Sequence, residues 1–211
     1  VLCNPLYTIY RTLPRKDRPT VLAVLRGTET PRYLVNEYAL AFAEMADVSS
    51  AVLNAFFDMP WGEEMEEAAF VKVYEARLRW EGEQTRRTIF EAAALAAYQA
   101  QTDVPIVKTL LGDDAPQFDT LTDERALCWV HEGRLYKKLT PLVPQFQQEL
   151  ETFLDRFWAY YRELRAYRAS PCCEEAQRLR RKFNKLFSQE VSYQDLADRM
   201  AKTREKKEEL L

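Results

Sequence analysis

From residue 150 onward an apolar side chain returns every three or four positions: Leu150, Phe153, Leu154, Phe157, Trp158, Tyr161 and Leu164. At 3.6 residues per turn these fall on one broad face, which predicts an amphipathic helix of about twenty residues. The stretch "SPCCEE" ends it, and Leu179, Phe183, Leu186 and Phe187 form the next stripe. Ser192 with Asp195 has the spacing of a capping box opening a third helix through Leu196, Met200 and Leu210. A chain with three such stripes folds them against each other, so an antiparallel hairpin or small bundle is expected. The aromatic stripes are its core rather than a ligand platform.

The rest of the chain points the same way. Only 5 glycines and 10 prolines occur in 211 residues, too few turn residues for a sandwich or barrel of short strands. With 47% hydrophobic and 30% charged residues the composition is that of a globular protein with a sizeable core. Residues 36–58 predict two short helices broken near "DVSS"; Pro60 and Gly62 punctuate; residues 63–82 and 85–101 predict two more, the second alanine-rich and suited to close packing. "TVLAVL" at 20–25 and "RYLVN" at 32–36 fit a short strand or a buried helix equally. No apolar run reaches the roughly 20 residues that cross a bilayer, and the start has no signal-peptide order, so no membrane and a cytoplasmic location are expected. A chain that starts with Val and stops at "KKEELL" is expected to be a segment of something longer.

The chemistry concentrates between residues 104 and 139. "VPIVKTLLGDD" is expected to be a buried strand, with "ALCWV" at 126–130 as a second, the pair forming part of an α/β sheet. Asp113 and Asp114 then stand at a strand's C-terminal end, where open α/β sheets place ligands. Two readings stand level: carboxylates for Mg²⁺, which accepts one or two per ion together with water and phosphate, or an Asp-Ala-Pro turn with Asp114 taking backbone hydrogen bonds and Asp113 in water. Cys128 and His131 make a C-x-x-H pair, but the sole histidine leaves no second half for a zinc site, and the four cysteines form no disulfide framework. Net charge is −3, which excludes an indiscriminate polycation, yet basic clusters lie at 11–18, 133–139, 178–185 and 202–207.

"LLGDDAPQF", then "ALCWVHEGRLYKKLTP", then the helices ending "DLADRMAKTREKKEELL" resemble the transposases of the insertion-sequence 66 family. "NPLYTIY", "KDRPTVLAVL" and "EAAALAAYQAQTDVPIVK" also resemble one subgroup, so the likeness covers most of the chain. The resemblance implies a mostly α fold with a small α/β part: part of a ribonuclease-H-like core followed by a helical insertion bundle. Its segments would be 1–62 (mixed, helical), 63–140 (the core part with one catalytic Asp) and 141–211 (the insertion).

By the same resemblance Asp114, with Asp113 as second choice, is one acid of an Asp, Asp, Glu triad that binds Mg²⁺ (or Mn²⁺), and the C-W-x-H-x-x-R pattern maps to Cys128, Trp129, His131 and Arg134. The other two acids are expected outside this segment. Arg134, Lys137, Lys138 and His131 are the expected DNA contacts, with Tyr136 in the same strip. The implied partners are DNA, both transposon ends and target, and further copies in a homo-oligomer, at a prokaryotic nucleoid. The implied activity is strand cleavage and strand transfer by the intact protein, with the segment alone inactive. The competing expectation is a non-catalytic helical DNA-binding or structural module from a decayed mobile element. A third, an unrelated Mg²⁺-dependent phosphotransfer enzyme, would need a Lys or Ser partner for the Asp on neighbouring strands, and the sequence offers none.

Overall fold

The structure, a computed structural model, describes residues 2–3, 8–9, 12–13 and 15–211. Helix accounts for 62% and strand for 7%, so the mostly helical expectation holds, with only a small share of sheet. "NPLYTIY" falls largely outside the described residues. Contacts divide the chain into two units, residues 1–108 with 116–123 and residues 109–115 with 124–211. The divisions expected at 62/63 and 140/141 do not coincide with these.

In the first unit, β1 (Leu2–Cys3) pairs antiparallel with β2 (Thr8–Ile9). "TVLAVL" is helix, within α1 (Arg18–Arg26), and its ends explain why. The Asp17 carboxylate accepts from the Thr20 amide, a proline sits in the first turn, and Gly27 closes the helix at φ 81°, a left-handed conformation that glycine tolerates. "RYLVN" opens with β3 (Arg32–Tyr33), and Asn36 caps α2 (Glu37–Met45) through the Ala39 amide. After α3 (Ser50–Phe57), the strand β4 (Met65–Glu66) pairs antiparallel with β3 and leads into α4 (Glu67–Leu78) and α5 (Glu83–Ala100).

The alanine run of α5 is its buried face, Ala92 to Ala97 all excluded from solvent. Small side chains allow near approach, and the Leu34 amide reaches the Ala93 carbonyl at 3.0 Å. Tyr33 stacks on Phe70 with ring centroids 4.7 Å apart, and Phe90 meets both edge-on. Residues 116–123 belong to this unit through the short helix η1 (Pro116–Phe118), whose Pro116 carbonyl accepts from Arg18, and through the fully buried Leu121. Arg18 also pairs with Glu91 at 3.0 Å, both side chains nearly buried.

In the second unit, β5 (Thr109–Gly112) runs parallel to β6 (Glu124–Leu127) in a two-stranded sheet. Both strands are shorter than expected. Residues 104–108 lie outside the strand because Pro105 has no amide to donate and the Val107 amide goes to the Tyr98 hydroxyl at 3.0 Å. β5 is not a buried strand either, since its residues alternate exposed and half-buried, with Leu111 67% exposed. β6 stops at Leu127, the Cys128 amide closes on the Gly112 carbonyl, and Trp129 and Val130 are already helical.

The remaining helices are α6 (Trp129–Lys137), α7 (Pro144–Tyr167), α8 (Cys173–Phe187), α9 (Gln194–Glu205) and α10 (Lys207–Leu210). The apolar stripes form one core, with Phe153, Phe157, Phe183, Phe187 and Leu196 essentially without solvent contact, as expected. Gly133 lets α6 approach α7, because a β-carbon there would lie 2.5 Å from the Trp158 ring. The expected Ser192–Asp195 capping box is absent. Tyr193 precedes the first turn of α9, and the Glu149 carboxylate of α7 accepts from the Ser192 and Tyr193 amides, both at 2.8 Å, so the cap comes from a neighbouring helix.

Candidate functional site

Of the six residues expected to bind metal or contact DNA, five line one cleft of about 540 Å³ in the second unit: Asp113, Asp114, His131, Arg134 and Lys138. The strand ends of β5 and β6 set one wall and α6 the other. His131, Arg134 and Lys138 share an exposed face of α6 by their three- and four-residue spacing, and the His131 Nε2 lies 3.5 Å from Arg134 Nη1. Lys137 does not line the cleft; its ammonium sits 5.3 Å from the centre of the Trp158 ring. Tyr136, expected in the phosphate strip, is instead fully buried.

Beneath α6 lies a polar network that the sequence did not reveal. Glu132 is 3% exposed, and its Oε1 accepts from Arg199 Nε at 3.2 Å and from the Thr203 hydroxyl. Thr203 is in turn bonded to the Tyr136 hydroxyl. Burial pushes the Tyr136 phenol well above its usual range, so it enters this network protonated. A signal for Glu132 did exist. Trp129, Glu132, Gly133 and Tyr136 recur at helical spacing, a pattern that places a glutamate on the buried face of α6.

The two aspartates differ. Asp114 Oδ1 accepts from Arg125 Nη2 at 3.1 Å, and its Oδ2 faces the Lys206 ammonium. This replaces the expected turn in which Asp114 would take backbone amides. Asp113, which that same reading left in water, has its Oδ1 buried with no hydrogen-bond partner. A buried carboxylate oxygen with no donor is a costly arrangement that a bound cation would relieve. Two adjacent hard carboxylates with one open oxygen fit the protein share of a Mg²⁺ or Mn²⁺ shell. Among the described residues no group of three or more His, Cys, Asp or Glu side chains is placed to hold a metal ion.

The basic clusters are used differently. In 11–18, Arg15 pairs with Asp17 and Glu67 and Arg18 with Glu91. In 178–185, Arg178 and Lys182 share Glu163, and Arg180 pairs with Glu208. In 202–207, Lys206 is on Asp114. Among the described residues Arg134 and Lys138 have no carboxylate in ion-pair range, which leaves the cluster on α6 open to an anion.

This chain is 27% identical over 209 residues to an uncharacterized protein, y4jO, of Sinorhizobium fredii (strain NBRC 101917 / NGR234), a match covering 97% of the chain and 63% of that protein. The chain therefore spans less than two thirds of the length of this relative. No protein-family model matches the chain, and no solved structure does. Among the described residues no helix is long and apolar enough to cross a membrane.

Proposed function

We propose that the chain is a segment of a DNA transposase, an enzyme that cleaves DNA strands and joins them to a target with the help of divalent metal. One observation carries this reading: the strand-end aspartates and the unpaired cations of α6 line the same cleft. A phosphodiester entering it would meet carboxylates on one side and Arg134, Lys138 and His131 on the other.

Asp114, with Asp113 beside it, would hold Mg²⁺ or Mn²⁺, which when bound supplies Lewis-acid stabilisation of phosphoryl oxygens. Arg134 would grip a phosphate through its planar fork, Lys138 would add a point charge, and His131 a hydrogen bond. Such contacts set DNA position without choosing sequence. The parallel pair of β6 with β5, the strand that runs into the two aspartates, supports this reading, which would make it part of a ribonuclease-H-like core with α7 to α9 as the helical insertion that contacts DNA or another subunit. Such a protein works at the nucleoid, in the cytoplasm of a prokaryote.

The test is nicking of DNA carrying the element's ends by the intact protein with Mg²⁺ or Mn²⁺. Wild type should nick and Asp114→Asn should not; equal nicking by both removes Asp114 from the chemistry. A second reading, a non-catalytic DNA-binding or structural module, draws on the ion pairs that engage both oxygens of Asp114. DNA binding by the intact wild type without any cleavage would favour it.

A further inference from the structure

Both carboxylate oxygens of Asp114 are engaged, but the two cations differ in kind. Arg125 is part of the sheet: it sits on β6, and its Nη2 also reaches the Asp113 carbonyl at 3.4 Å. Lys206 comes from 92 residues further along the chain. It stands at the break between α9 and α10, with φ −96° and ψ 17°, so its stem projects from a corner rather than from a helix face. The turn that follows is tied at three points. Glu208 pairs with Arg180 at 3.0 Å, Glu209 lies 3.8 Å from Arg125, and the Leu210 carbonyl accepts from the Trp129 indole at 2.8 Å.

We infer that Lys206 is a resident stand-in cation on Asp114, and that the corner between α9 and α10 is a latch that must open before Asp114 can accept a divalent ion. The inference rests on the reading of Asp114 as a metal ligand. Lysine suits the part, because its ammonium is a single charge on a flexible stem, whereas Arg125 stands on β6 and its Nη2 is held by both the Asp113 carbonyl and the Asp114 carboxylate. The pair is also on the solvent side, with side chains 25% and 36% exposed, and an ion pair that exposed is weak enough to exchange. A dication brings twice the charge and can engage the open oxygen of Asp113 as well, which the lysine leaves unpartnered. In the closed state Lys206 occupies the Asp114 carboxylate; metal loading is thereby coupled to the position of α10.

The experiment is Mn²⁺ binding to the intact protein, followed by the electron paramagnetic resonance signal of free Mn²⁺, for wild type, Lys206→Met, Lys206→Arg and Asp114→Asn. Removing the competitor should tighten Mn²⁺ binding by about fivefold in Lys206→Met, the scale of one exposed ion pair, while Lys206→Arg stays near wild type. Unchanged or weaker binding in Lys206→Met, with binding lost in Asp114→Asn, overturns the latch and leaves the metal site standing. Binding unaltered in Asp114→Asn removes the metal reading of Asp114 and the latch with it. Hydrogen exchange gives a second readout: saturating Mn²⁺ should speed exchange of the amides at residues 207–210 in wild type, and unchanged exchange overturns the latch.

Discussion

The indole N–H of Trp129 donates to the Leu210 carbonyl at 2.8 Å, joining the first residue of α6 to the last helix across 81 residues. The ring itself is packed against Phe157, Tyr160 and Phe183. Trp129→Phe keeps an aromatic in place but strands a buried carbonyl, and should lower stability by about 1–3 kcal/mol. Trp129→Ala also opens a void and should lose about 3–5 kcal/mol. Urea denaturation of both variants checks the order; equal losses would mean that the hydrogen bond contributes nothing.

Gly133→Ala should destabilise the protein although alanine is the better helix former by about 1 kcal/mol. The new methyl would meet Trp158 ring carbons at 2.5 and 2.6 Å, so α6 and α7 must separate, at a cost of about 1–3 kcal/mol for overpacking. A melting temperature at or above wild type would contradict this contact.

Glu132→Ala should cost about 3–5 kcal/mol, because it leaves the Arg199 guanidinium, 15% exposed, without its partner. The double variant Glu132→Leu with Arg199→Met removes both charges and should recover much of the loss. A double variant as unstable as the single one would show that the pair is not the source of the effect.

On the DNA-binding reading, Arg134→Ala and Lys138→Ala should each reduce the slope of log affinity against log salt by about 1. Lys137→Ala should change it less, since that ammonium lies on the Trp158 ring outside the cleft. Fluorescence anisotropy with a DNA duplex at several salt concentrations measures all three, and equal slopes for wild type and Arg134→Ala would exclude Arg134 as a phosphate contact.

Alkali should unfold the protein through its buried phenols. Burial raises the pKa of Tyr33, Tyr136 and Tyr160 above the ordinary value of 10.0. The folded state therefore holds these protons more tightly than the unfolded chain. Their contribution is complete below pH 10 and declines as pH rises beyond it, toward their folded values. A titration at 295 nm should show exposed tyrosines ionising first and these three only as circular dichroism reports unfolding; ionisation of all 11 tyrosines in one step before unfolding would refute it.

The helices of residues 144–205 were legible because their stripes are local: the spacing of Phe153, Phe157 and Tyr161 survives in any context. The strand was not, because apolarity at Ile106 and Val107 says nothing about the missing amide of Pro105 or the hydroxyl of Tyr98 that takes the Val107 amide. Trp129 and Val130 misled in a similar way: both favour strands as residue types, while the spacing of Trp129, Glu132, Gly133 and Tyr136 had already set a helix. At the site, the place of Asp113 and Asp114 at a strand end was visible. Their partners were not, since Lys206 lies 92 residues from Asp114 and Arg199 lies 67 from Glu132, and pairings at such range leave no local pattern.

The chain passes between its two units three times, after residues 108, 115 and 123. No single cut separates the two units with both of them whole. On the ribosome the first unit waits for Leu121, its fully buried late arrival, by which time β5 has already emerged without β6. Recombination at any one of these three junctions would leave at least one unit missing a piece.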